Sequence, residues 1–106
     1  MAKKPIINVV TTQCPPQDEA KFNKWYNEVH IPMLMKYKGV KAVARYKVMD
    51  CKVPQFIAIY HFDSQQDFEA FSKSPEFKAA IEEMGQSWPK GIDITSRQQS
   101  ELIKQW

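Results

Sequence analysis

The order in which hydrophobic periods alternate along this chain leaves few folds open to it. Pro5 to Gln13 is rich in β-branched residues (Ile6, Ile7, Val9, Val10, Thr11, Thr12), which is strand composition. Phe22, Trp25, Tyr26, Val29 and Met33 then recur at spacings of three and four and make one apolar helix face. Lys41 to Met49 and Gln55 to Phe62 return to strand-like alternation across a turn from Asp50 to Pro54. Phe68, Phe71, Phe77, Ala80, Ile81 and Met84 resume the helical spacing, and Ile92 and Ile94 alternate with polar neighbours as a last strand.

The order β-α-β-β-α-β is the split-βαβ, or ferredoxin-like, arrangement of the α+β class. Right-handed crossovers place both helices on one face of a four-stranded antiparallel sheet. The 106 residues fit a single domain, 1–106. A domain of this size buries only about two thirds of the surface its unfolded chain exposes. On the strand parity read here, Ala42, Ala44, Tyr46 and Val48 share the helix-covered face with Phe56, Ala58, Tyr60 and Phe62. Val43, Arg45, Met49, Ile57, Ile59 and His61 fall on the other face, which is bare and partly apolar in a monomer. Such a face predicts a two-fold dimer, sheet against sheet, with Arg45 placed to pair across the interface.

Local signals set the boundaries. Asp18 and Glu19 suit the first turn of a helix. Pro32 removes a donor to the carbonyl of Glu28 and disfavours helical angles at Ile31, so a kink or break is expected at His30 to Pro32. The second helix starts at Asp63 or Ser64, restarts at Ser74-Pro75 and stops at Gly85. Leu102, Ile103 and Trp106 suggest a final extended or short strand segment. In this topology the third strand separates Cys14 from Cys51 by ~9–10 Å. A disulfide needs Cα atoms within ~7 Å, so two free thiols are expected.

Composition excludes several classes. A net charge of +3, with scattered basic residues and only Arg45 and Arg97 as arginines, makes no nucleic-acid footprint. No apolar run approaches the ~20 residues of a membrane span. The start, Met-Ala-Lys-Lys-Pro, has charge but no leader-type apolar core, so a cytoplasmic location is the default expectation. No phosphate-binding glycine loop, nucleophile elbow or metal-ligand spacing occurs, and no metal or cofactor is expected.

Two stretches resemble the EthD-like family of the dimeric α+β barrel proteins. One is Trp25-Tyr26-Asn27-Glu28-Val29-His30-Ile31-Pro32, followed by Gly39-Val40 and Ala44-Arg45-Tyr46. The other is Ala58-Ile59-Tyr60-His61-Phe62-Asp63, followed by Phe68, Phe71 and Ser74-Pro75-Glu76-Phe77. The resemblance implies a homodimer joined through its sheets and a pocket between sheet and helices in each subunit. It also implies a cofactor-free enzyme of isomerase, cyclase or monooxygenase type, or a protein of the heme-degrading kind. The polar run Ser96 to Ser100 departs from the short last strand that such a domain would have.

His30 is the first candidate for chemistry. It flanks the apolar helix face one turn after Tyr26, beside the expected break, where free carbonyls favour its protonated form. There it can serve as a general acid or base; the plainer reading is a half-buried histidine that stabilises the kink. Tyr46 and Tyr60, beside the small Ala44 and Ala58, are expected to form a pocket wall and to orient a polar group. Phe22, Trp25, Tyr26 and Trp88 can line an apolar cavity, although aromatics at such spacing more often simply fill a core. The functions left open are a small enzyme acting on a hydrophobic or aromatic molecule, a non-catalytic binder of such a molecule, and a heme protein with His30 as axial ligand.

Overall fold

The computed structural model describes residues 4–106, so Met1 to Lys3, with part of the charged start on which the leader reading rests, lies outside the described residues. Strands β1 (Ile6–Gln13), β2 (Ala42–Lys47), β3 (Gln55–Phe62) and β4 (Asp93–Glu101) form one sheet in the order β2-β3-β1-β4. Every neighbouring pair is antiparallel. Between β1 and β2 the chain is helical in α1 (Glu19–Trp25), a π turn (Tyr26–His30) and α2 (Ile31–Leu34); between β3 and β4 lie α3 (Gln65–Ser72) and α4 (Pro75–Ser87). This is the ferredoxin-like α+β architecture. Strand β3 lies between the strands that lead to the two cysteines, and both thiols are free, Cys14 buried and Cys51 exposed.

Alternate residues of β1 and β3 are buried, and they make the sheet's half of the core: Ile6, Asn8, Val10 and Thr12 from one, Phe56, Ala58, Tyr60 and Phe62 from the other. Helix α1 lowers Phe22 onto this surface, where its ring lies 5.8 Å from Phe56 and 5.3 Å from Tyr26. Phe71 of α3 covers the other end, 5.3 Å from Phe62. Burying an aromatic ring of this kind contributes about 2–3 kcal/mol. Two serines cap helices α3 and α4. Ser64 caps α3 by accepting from the Asp67 amide at 3.2 Å. Ser74 caps α4 by accepting from the Phe77 amide at 3.1 Å and also donates to the Phe71 carbonyl at 2.7 Å. Helix α4 then passes through Gly85 and ends at Ser87, beyond the stop expected there.

Three expectations need correction, each for a physical reason. Pro32 does not break the helix. The turn before it widens, so that the Ile31 amide donates to the Tyr26 carbonyl, and Ile31 keeps helical angles of φ −61° and ψ −46°. This shift to i→i+5 bonding relieves the ladder position that a proline spoils.

The phase of β2 is the reverse of that expected. Val43 pairs with Tyr60 and Arg45 with Ala58, and directly opposed residues share a face. Val43 and Arg45 therefore lie under the helices, and Ala44 and Tyr46 lie on the open face, Tyr46 being 55 % exposed. The sequence misleads because the covered residue is an arginine that lays its guanidinium on aromatic rings, while a tyrosine faces outward.

Strand β4 runs straight through the polar stretch, and Leu102 to Trp106 form no regular strand. A bulge makes Thr95 unpaired between the pairs Thr11–Ser96 and Thr12–Ile94. The extra residue switches parity, so Ile94 before it and Arg97 and Gln99 after it all face the helices.

Replacing Ser74 with Ala should cost about 1–2 kcal/mol, because a buried cap that also donates to Phe71 is lost. Urea denaturation of S74A and S64A should show the larger loss in S74A.

Candidate functional site

A cavity of about 260 Å³ opens between the helices and the β1–β4 side of the sheet. Leu34, Phe68, Phe71, Phe77 and Met84 give it an apolar body. The polar atoms come from Asn8 and Thr12 of β1, Tyr60 of β3, Ser72 of α3, Arg97 and Gln99 of β4, and Tyr26 and His30 of the π turn. The buried Asn8 Oδ1 accepts from Gln99 Nε2 at 2.8 Å, which ties the central strand β1 to the edge strand β4 beside the cavity.

His30 owes its position to the π turn. In an α-helix, residues at i and i+5 diverge; here the wider turn stacks His30 on Trp25, with ring centroids 4.8 Å apart and planes 24° apart. Tyr26 meets the same imidazole edge-on at 5.0 Å. Only 7 % of His30 is exposed. Its Nδ1 is sealed off with no hydrogen-bond partner among the described residues, which leaves Nε2 as the nitrogen that can meet the cavity. Burial pushes the imidazole pKa down to about 4, against a smaller opposing pull from Glu83 and with a small further push from Arg45. His30 is therefore neutral at pH 7. The expectation that free helix-end carbonyls favour its protonated form is corrected, because the helix does not end there.

The hydroxyls of Tyr26 and Tyr60 lie 3.3 Å apart, each able to donate to the other. Burial raises both phenols, Tyr60 well above the usual value, so both keep their protons. Behind them lies Arg45. Its guanidinium sits 4.2 Å from the Tyr26 ring centroid and donates to Asn27 Oδ1 at 2.8 Å and Asn23 Oδ1 at 3.0 Å. Its partners are amides and aromatic faces, so its charge stays uncompensated and is felt by both phenols, where it favours the anionic form.

The residues singled out from sequence divide clearly. His30, Tyr26 and Tyr60 meet at the cavity. Phe22, Trp25 and Trp88 pack on one another beside it, at centroid distances of 5.7–6.1 Å, and Trp25 Nε1 donates to Glu83 Oε1 at 2.9 Å. Ala58 is buried under the helices. Ala44 and Tyr46 stand on the opposite sheet face and form no wall of this cavity. Asn8, Arg97 and Gln99 were missed. A polar residue at an inward β1 position was a legible signal for Asn8, whereas the bulge hid the other two. Among the described residues no cluster of His, Cys, Asp and Glu could hold a metal ion.

The family model for a domain of unknown function, DUF4286, matches residues 5–92, most of the chain. The chain belongs to the DUF4286 family. No curated protein matches it in sequence. Solved structures share the fold of this DUF4286 domain at low identity. An ethyl tert-butyl ether d (EthD) family protein from Bacillus halodurans is 14 % identical with a TM-score of 0.70, over 94 % of this chain and 99 % of that one. HapK from Hahella chejuensis is 10 % identical with a TM-score of 0.71, over 96 % of this chain and 95 % of that one. A dimeric ferredoxin-like protein from an uncultured marine organism is 12 % identical with a TM-score of 0.69, over 98 % and 100 %. The DUF4286 domain thus shares a ferredoxin-like α+β fold with these neighbours, an EthD family protein among them. No helix among the described residues is long and apolar enough to cross a membrane.

The depressed His30 pKa has a signed consequence. Between pH 6.5 and about 4 the unfolded chain binds a proton that the folded one refuses, so stability falls as pH drops through that window. The full difference is about 3 kcal/mol. Urea midpoints of the wild type should fall across this range more steeply than those of H30Q, which has no imidazole to charge.

Proposed function

We propose that this protein is a small cofactor-free enzyme that moves a proton on a compact, largely apolar molecule bearing a carbonyl or phenolic oxygen, as in an isomerisation or cyclisation. The observation that carries this reading is the meeting of a neutral, buried histidine and two protonated tyrosine hydroxyls at one apolar cavity. Tyr26 and Tyr60 hold the oxygen and donate to it as negative charge develops, the role of an oxyanion hole. His30 Nε2 takes the proton from the adjacent carbon and returns it elsewhere. Burial by itself makes the imidazole resist protonation; the oxyanion formed beside it supplies the counter-charge that makes the imidazolium favourable.

The low pKa also favours a second reading, a binding protein in which His30 only hydrogen-bonds its ligand. One assay separates the two. Compact aromatic ketones are incubated with the protein in D2O, and deuterium entry beside the carbonyl is followed by NMR. The enzyme reading expects exchange that falls about 100-fold or more in H30Q and in Y60F. Binding of the ketones at the cavity with no exchange in the wild type leaves the binding reading.

We further infer that the open sheet face pairs with a second copy of the chain. Ile7, Val9, Ile57 and Ile59 stand on that face beside Tyr46, and a structural neighbour is a dimeric ferredoxin-like protein. Analytical ultracentrifugation at micromolar concentration should give a dimer for the wild type and a monomer for I59K; a wild-type monomer overturns the pairing.

A further inference from the structure

We propose that the ligand of this cavity is an organic acid anion, bound with its carboxylate at the β4 rim against Arg97 and its apolar body against the aromatic side of the pocket. The proposal rests on the cavity being the functional site and adds the charge and orientation of what fills it.

The side chains of the wall have one sign. No aspartate or glutamate lines the cavity. Arg97 does line it, from a position opposite Val10 on the covered sheet face, and the described residues offer it no salt bridge. Their two ion pairs are Lys41–Asp63 and Lys47–Glu19, both away from the cavity wall. Arg97 carries a rigid fork of donors that suits a carboxylate in two-point contact. Gln99, one step along the same strand face, adds an amide, although one of its donors already serves Asn8.

A second cation acts from behind. Arg45 lies under Tyr26 with only amides and ring faces as partners. Both arginines favour negative charge at Tyr26, so their fields overlap where the ligand would lie. The neutral His30 adds no repulsion toward an anion and becomes easier to protonate once one is present. A cationic ligand would meet Arg97 at the rim and find no carboxylate inside. A neutral one would leave the Arg97 fork without a charged partner.

The geometry also orders the ligand. Phe68, Phe71 and Phe77 come from α3 and α4, whereas Arg97 and Gln99 come from β4. A compact molecule with an apolar body and one carboxylate satisfies both sides at once. A volume of about 260 Å³ favours something of the size of a single substituted ring over an extended chain.

Three probes of one shape test this: 4-hydroxybenzoate, 4-hydroxybenzamide and 4-hydroxybenzylamine, titrated at pH 7.5 into 15N-labelled protein at low salt. The acid should bind about tenfold or more tightly than the amide, as expected of a charge-assisted bond, and the amine most weakly. Its shifts should fall on Arg97, Gln99 and the Tyr60 region. R97Q should bring the acid down to the affinity of the amide, and R97K should retain part of the preference. Equal binding of all three at cavity residues leaves the site standing and overturns the anion proposal. So does an acid preference unchanged in R97Q. Absence of cavity shifts with every probe overturns the site itself and this proposal with it.

Discussion

Everything in this fold is arranged around the contact between α1 and the middle of the sheet. Phe22, nearly sealed from solvent, meets Trp25, Tyr26, Phe56 and Trp88 at centroid distances of 5.3–6.1 Å. That aromatic layer fills the helix–sheet space around Phe22. The half of that space toward β4 is bounded by shorter or polar side chains such as Asn8, Thr12 and Ile94, and there the cavity remains. A small domain cannot fill both halves with rings and still keep a pocket. The division between a packed β2–β3 side and a hollow β1–β4 side therefore positions the site.

Pro32 connects the two halves. Its missing amide hydrogen would spoil an ordinary α-helical ladder, and the chain absorbs the defect by widening the preceding turn. The same widening moves His30 onto the face of Trp25 and under cover. The proline thus determines the electrostatics of the site indirectly. An imidazole at a frayed helix end would be wet and easily protonated, whereas one stacked inside a continuous helix is dry and neutral.

The element order, the four strands, the caps at Ser64 and Ser74 and the free cysteines were legible, because each rests on local period or on chemistry within a few residues. The histidine and the two tyrosines at the same cavity were legible for the same reason, since Tyr26 and His30 are helical neighbours and Tyr60 sits in a clear alternation. What escaped, besides the π turn before Pro32, were two parities. Strand β2 reads Ala-Val-Ala-Arg-Tyr-Lys, where neither face is plainly apolar, and Arg45 is half-buried by stacking, which a hydropathy pattern cannot register. In β4 the bulge at Thr95 breaks the alternation midway, so a strand with a consistent inner face looks from its sequence like a short strand followed by a polar loop.

These two blind spots hold both arginines of the chain, and that is the physically informative part. Both guanidinium groups sit by the helix-covered side, near Tyr26; Arg45 is half-buried there, where an uncompensated cation is costly, whereas Arg97 is exposed. Purely structural selection would favour an apolar residue or a paired acid at such a position. The stacked rings and the Asn23 and Asn27 amides reduce the cost at Arg45, and solvent reduces it at Arg97, but neither neutralises the charge. An unneutralised positive field beside two protonated phenols and a neutral imidazole is a state completed by negative charge arriving from outside. That charge can develop on a reacting oxygen or be brought by the ligand, and in either case the site's electrostatics are those of a receptor for an anion.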